Sequence, residues 1–367
     1  VTHFGTQKLI IGIGVVMATI YSADQFLARL EKRELDAQAR HEYQNGITLL
    51  RDGHDTPASL TQAISAFERA RALDRDDPTF QIGLADALIR NHQPQKAEDA
   101  VAALLERDSN NGQANLLMAR AMDEEKQYSS ANSYYHRAIY GTWPPNSADQ
   151  QLGARVELVR WLANRGDQKG LLSELILLEP SAANTNSSIA RDIPFLFRQA
   201  GAPARAIDAY HNWLRDHPGD ADAYAGLGDT EIETGNFRAA RQAYEKASQL
   251  KPDDPGLKLH EEVAGTALEL DPTPRWLSSS EKLARSTRIL NLAATTVLQC
   301  PDAQTPDSPL FQNAQKLVAE HNPAATNEAA ETRLNFAETI WNTRPGSCNP
   351  PPEKKELLSV LVRKLAQ

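Results

Sequence analysis

Nine histidines, two cysteines and an excess of carboxylates are the material this chain offers for chemistry. His260-Glu261-Glu262 begins like a zinc-hydrolase helix. No second histidine follows at the spacing that would put two imidazoles on one helix face. Cys300 and Cys348 stand far apart in sequence, so there is neither a Cys-x-x-Cys metal pair nor a Cys-x-x-Cys-His haem attachment. No Gly-x-x-x-x-Gly-Lys-Ser/Thr phosphate cradle and no Gly-x-Ser-x-Gly nucleophile elbow occurs. Gly12 and Gly14, after Leu9-Ile10-Ile11, imitate a dinucleotide fingerprint, but the third glycine and a βαβ pattern are missing. Ser278-Ser279-Ser280-Glu281 reads as a helix N-cap with a nearby acid, and Glu124-Glu125 and Asp253-Asp254 as helix faces and caps. These residues predict no catalytic group, no metal site, no cofactor and no small-molecule substrate.

The elements that carry those side chains are helical. The chain has 367 residues, 41% hydrophobic and 24% charged, ordinary for a globular protein of two or three units. Its net charge of −9 argues against nucleic acid as a partner. Abundant alanine and few β-branched runs favour helix throughout.

Those helices repeat. Ala63, Ala97 and Ala131 are 34 residues apart, as are Ala206 and Ala240. Four residues after each stands a larger side chain: Phe67, Val101, Tyr135, Tyr210 and Tyr244. Upstream lies a second pattern, in Leu84-Ala85, Met118-Ala119 and Leu227-Gly228. Positions three and four apart share a helix face, so each unit reads as two antiparallel helices whose apolar sides are covered only by stacking on a neighbour.

The pattern resembles the tetratricopeptide repeat family, with Trp-x2-Leu-Gly-x2-Tyr, then Ala-x3-Phe, then Pro. The best copy, 221–254, has Tyr224, Leu227, Gly228, Gly235, Ala240, Tyr244, Ala247 and Pro252 in place. Four copies are in register and six span about 39–254. In the 187–220 copy Pro194 replaces a small residue and Trp213 the usual alanine, which predicts a shifted second helix. The 152–186 copy is degenerate, and the approach to it, Gly141 to Asn146, predicts an exposed loop. The resemblance implies an all-α solenoid of antiparallel helix pairs, a right-handed superhelix whose concave groove binds a protein or peptide partner. Its inward groove residues would be Asp86, Arg90, Arg120, Glu124, Arg191, Phe195, Arg198, Asp229 and Glu233. Their mixed signs point to a mixed-charge peptide. The lysines and asparagines with which chaperone-tail binders clamp a terminal carboxylate are not at the matching positions.

Two flanking regions complete the reading. The run from Leu9 to Ala23 is uncharged but shorter than the ~20 residues a bilayer core asks for. It predicts a membrane anchor or signal peptide over 1–23, followed by a helical stalk over 24–38. Lys8 favours an exported, periplasmic body; Arg29, Lys32 and Arg33 pull the other way, towards a body on the cytoplasmic face. The solenoid would cover 39–270. A smaller helical subdomain would fill 271–367, with helices near 279–299, 309–321, 325–343 and 353–366. Cys300 and Cys348 would form a disulfide if this part is exported, or remain two free thiols in a cytosolic protein. The function expected is a non-catalytic scaffold, membrane-anchored in a bacterial envelope assembly. The alternatives are a spacer or self-oligomerising protein, and an enzyme with an unfamiliar C-terminal catalytic unit.

Overall fold

The computed structural model describes residues 2–53, 55–183, 188–300, 308–320 and 323–365; side chains are described at 17 and from 20 onward, except 181–183, 188 and 365. Among the described residues there are seventeen helices and no strand. The fold is the expected all-α solenoid of helix pairs. Six pairs follow one another: α1 (Thr2–Asp52) with α2 (Pro57–Leu73), α3 (Pro78–Arg90) with α4 (Pro94–Arg107), α5 (Gly112–Glu124) with α6 (Tyr128–Tyr140), α7 (Ala148–Arg165) with α8 (Gln168–Ala183), α9 (Ser188–Gln199) with α10 (Pro203–Asp216), and α11 (Ala221–Glu233) with α12 (Phe237–Leu250). Then come α13 (Pro255–Leu270), α14 (Ser279–Leu298), α15 (Pro309–Ala319), α16 (Asn327–Asn342) and α17 (Pro352–Leu365). The chain forms two compact units, Val1–Trp161 and Leu162–Gln367.

Local chemistry sets the helix ends. Asp77, Asn111, Asp220, Asn236 and Asp254 each cap the following helix by accepting a backbone N–H. Pro78 and Pro255 occupy first-turn positions, where a missing N–H costs nothing. The turn inside each of the last five pairs is left-handed at one residue: His92, Lys126, Gly166, Gly201 and Gly235, with φ between 54° and 73°. There the next N–H reaches back five residues, as from Gln93 to Leu88 (2.9 Å) and from Gln127 to Met122 (2.8 Å). The second helix then starts in register. Pro203 in α10 corresponds to Phe237 in α12, so the shift expected from Pro194 does not occur. Pro194 and Pro180 lie inside α9 and α8 and stop neither helix.

The core repeats with the sequence. Phe67 of α2 is fully buried against Gly46 of α1 and Gly83 of α3. A Cβ at Gly46 would lie 2.7 Å from the Phe67 ring, and one at Gly83 2.8 Å from it. Tyr244 stands in the same relation to Gly228 (2.7 Å). The periodic alanines Ala63, Ala97, Ala131, Ala206 and Ala240 are all buried.

In the second unit the C-terminal helices share one core with the last repeat. Phe237, Val263, Ile289, Leu290, Ile340, Trp341, Leu358 and Leu361 belong to one buried cluster. Arg333, 2% exposed, ties α16 to the end of α15 by donating to the Leu317 carbonyl (3.1 Å) and to Glu320 (2.7 Å). Cys300, after α14, and Cys348, before α17, are joined in a disulfide. Lys364 near the end of α17 reaches Asp271 (2.6 Å) and the Gly235 carbonyl (2.8 Å).

The membrane segment expected over 1–23 falls mostly outside the described side chains. Among the described residues no helix is long and apolar enough to cross a membrane. α1 continues from that run into the charged residues Asp24 to Asp36 without a break.

Two stability changes follow from these turns and contacts. Gly83→Ala should destabilise the full chain by about 1–3 kcal/mol in urea unfolding, because the Phe67 ring has no room to retreat. Combining it with Phe67→Leu should cost less than the sum of the two single changes; strict additivity would show that the two residues do not press on each other. Lys126→Gly should stabilise by up to about 1 kcal/mol by relieving a left-handed non-glycine residue. A loss of stability there would mean that φ is not what limits the turn.

Candidate functional site

The first helix of each pair carries the charges that the resemblance turns inward. Each unit gathers them into a network. In the first unit Arg120 of α5 sits between α3 and α7. It makes a two-pronged contact with Glu157 (2.9 and 2.7 Å) and a longer one with Asp86 (3.4 Å). Asp86 also holds Arg90 (3.1 Å), and Arg90 reaches Asp55 (3.3 Å). The Tyr135 hydroxyl, from α6, donates to Glu157 (3.0 Å). Burial alone would lower the Arg120 pKa, but its bonds to Glu157 outweigh that, and it is held above the ordinary arginine value. Burial first, then the Glu157 charge, raises the Tyr135 pKa, so the phenol stays protonated and donating. Glu124 lies outside this cluster, beside His92 (3.5 Å).

The second unit repeats the arrangement. Arg198 of α9 bridges Asp229 (2.9 Å) and Glu233 (2.9 Å), both on α11. Tyr244 donates to Asp229 (2.8 Å) as Tyr135 does to Glu157. The Tyr210 phenol nearby is pushed up to about 12, mainly by burial. Arg191 pairs with Asp220 (3.0 Å) and Asp222 (3.1 Å). Phe195 is 47% exposed. Eight of the nine groove residues therefore bear ion pairs, and most of these join one repeat to the next.

What remains open differs between the units. Around the Arg120 network the first helices leave a 540 Å³ trough. Its lining combines Tyr43, Ile47 and Leu50 of α1, Ile82 of α3 and Leu116 of α5 with Gln113, Gln150 and the paired charges. Around Arg198 a 490 Å³ cleft is closed on one side by α17, which contributes Lys355, Ser359 and Arg363. Glu356 of α17 lies 3.7 Å from His260 of α13.

Sequence reasoning missed Glu157, which lies in the degenerate copy. It follows Arg120 by 37 residues because the Gly141–Asn146 connection lengthens the period. That loop is not wholly exposed, as it was expected to be. Trp143 folds back over Gly112, its indole N–H donating to the Ala138 carbonyl (2.8 Å), and its ring lines the trough. Among the described residues no group of three or more His, Cys, Asp or Glu side chains is placed to hold a metal ion.

Comparison with known families agrees with this geometry. Residues 56–148 match the family model described as cytochrome c-type biogenesis protein H TPR domain, and residues 197–259 match the tetratricopeptide repeat model. These are tetratricopeptide repeats. A curated relative, the peroxisomal targeting signal receptor of Candida albicans, is 25% identical over 216 residues. That match covers 57% of this chain, but only 35% of the receptor's own length. Among solved structures, YrrB, described as a TPR protein with an unusual peptide-binding site, is 20% identical at a TM-score of 0.43. The match covers 54% of this chain and 98% of YrrB. The C-terminal part of a TPR repeat-containing protein from Cytophaga hutchinsonii is 10% identical at a TM-score of 0.44, covering 83% and 97%. The repeats mark the chain as a protein–protein interaction adaptor.

Arg120 is the test of the network. Arg120→Ala removes the cation of Glu157 and leaves Asp86 only Arg90. It should cost about 1–3 kcal/mol in urea unfolding, and Tyr135→Phe about 1 kcal/mol. If Arg120→Ala costs no more than a surface change, the network contributes nothing to repeat stacking.

Proposed function

We propose that the chain is a non-catalytic adaptor that seats a polypeptide partner in the first-unit trough. One observation carries this reading: the trough is open and offers Tyr43, Ile47, Ile82 and Leu116, while the charges in it are already paired with one another. The partner would enter mainly with apolar side chains, and the Asp86–Arg120–Glu157 network would set the floor it rests on. In the second unit α17 already walls the equivalent face, which makes that unit the lesser seat.

The match over residues 56–148 to a cytochrome c-type biogenesis model supports cytochrome c biogenesis as the process. The uncharged run from Leu9 to Ala23 and the Cys300–Cys348 disulfide support a chain anchored in a bacterial membrane with its body exported, where disulfides persist.

Complementation of a deletion strain separates these readings. Deletion should lower haem-stained c-type cytochromes, and the intact gene should restore them. Ile82→Glu, on a half-buried trough wall, should fold with unchanged circular dichroism yet fail to restore them. Unchanged cytochromes on deletion would remove the process; full restoration by Ile82→Glu would remove the trough. Protease protection in intact cells, lost on lysis of the outer envelope, would support an exported body.

A further inference from the structure

Two carboxylates between the second and third helix pairs stand apart from the networks already described. Glu98 lies early in α4, and Glu125 is the residue that ends α5. α4 packs on both α3 and α5. The Glu98 carboxyl is within hydrogen-bonding reach of the Glu125 carboxyl. Oε1 of each is shielded from water and receives no hydrogen bond. Oε2 of Glu125 accepts from the Gln127 amide (2.7 Å). Two ionised carboxylates hold acceptors only, so neither can supply the donor that the other lacks.

No cation supplies it either. Among the described residues neither glutamate has an ion-pair partner. On α4 itself Lys96 donates to Gln93 (2.8 Å), Arg107 reaches Asp76 (3.6 Å), and Asp99 adds a further negative charge. On α3 Asp86 and Arg90 hold each other, and His92 just after it lies beside Glu124 (3.5 Å). On α5 Arg120 is bound to Glu157, and Asp123 accepts the Trp161 indole N–H (2.8 Å). Lys126 is exposed, and α6 carries no charge before His136. A shielded acceptor without a donor costs free energy, and two adjacent negative charges add to that cost. The donor that remains is a carboxyl proton. Burial first, then the Glu125 charge and the bond to it, pushes the Glu98 pKa up to about 6.

We propose that Glu98 and Glu125 share one proton, as a pH-sensitive joint between the second and third helix pairs. The joint needs no occupant of the trough. These two pairs supply α3 and α5 to the trough, so acidity would tighten the stack that carries it. A carboxyl that holds its proton more tightly in the folded chain than in the unfolded one stabilises the fold at low pH. That stabilisation is lost as pH rises through about 6.

The test is urea unfolding of the full chain at pH 4.5 and at pH 7.5. The rise from 4.5 to about 6 allows at most about thirty-fold in the folding constant, and the solvent that reaches the pair reduces it. Glu98→Gln carries a donor at every pH. Its gain in folding constant over the wild type should be about three- to tenfold larger at pH 7.5 than at pH 4.5. Glu125→Gln should gain in the same direction, and the double variant by less than the product of the two. Glu106→Gln, exposed on the same helix, should show no such difference. Carbon-13 NMR of labelled glutamate carboxyls should show one wild-type resonance titrating near 6, absent from Glu98→Gln and moved towards 4.5 in Glu125→Gln. A wild type in which no glutamate titrates above about 5 overturns the proposal, whether or not the variants fold. So does an equal gain for Glu98→Gln at both pH values, or a Glu98 resonance that Glu125→Gln leaves in place.

Discussion

One contact recurs in three of the pairs: an aromatic ring from the second helix pressed against glycine on a first helix beside it. Phe67 fills the space between α1 and α3 only because Gly46 and Gly83 carry no side chain there. Tyr244 meets Gly228 in the same way. The ring fixes how closely the first helices approach, and that spacing decides which side chains on them can touch. A guanidinium spans it. Arg120 therefore reaches carboxylates on both neighbouring first helices, and Arg198 reaches two on α11.

The tyrosines couple the two layers. Tyr135 and Tyr244 stand at the aromatic position of the second helix, with their rings in the core and their hydroxyls on Glu157 and Asp229. A phenylalanine would pack as well but would leave a carboxylate oxygen with one donor fewer. Repeats that look interchangeable in the core are thus individually fitted to the charges above them.

Much of this was legible beforehand. The alanine and aromatic spacing located α2 to α6 and α10 to α13, because a buried face must recur with the helix pair. The C-terminal helices were legible from proline and asparagine breakers, which act locally. The turns at His92 and Lys126 were not, since neither residue advertises a left-handed conformation. The charges were legible as alternating signs on first helices. Their pairing was not, because it depends on the distance between helices that are 34 residues apart in sequence. Glu157 lay beyond reach for a further reason: the Trp143 connection shifts the period just before it.

Pairing also changes what the charges can select. A free arginine in a groove attracts any carboxylate at long range. Arg120 is already held by two, so a ligand carboxylate would have to displace Glu157, which would lose its cation, or the longer contact to Asp86. A ligand cation faces the same obstacle at Asp86 and Glu157. As the proposed seat, the trough would therefore discriminate against charged side chains of either sign at its floor and leave shape and apolar area to decide what fits. The same network holds α3, α5 and α7 at fixed spacing before any ligand arrives, which lowers the ordering cost of binding. In the proposed adaptor, such a groove would select by shape and apolar area because its charges are spent on one another.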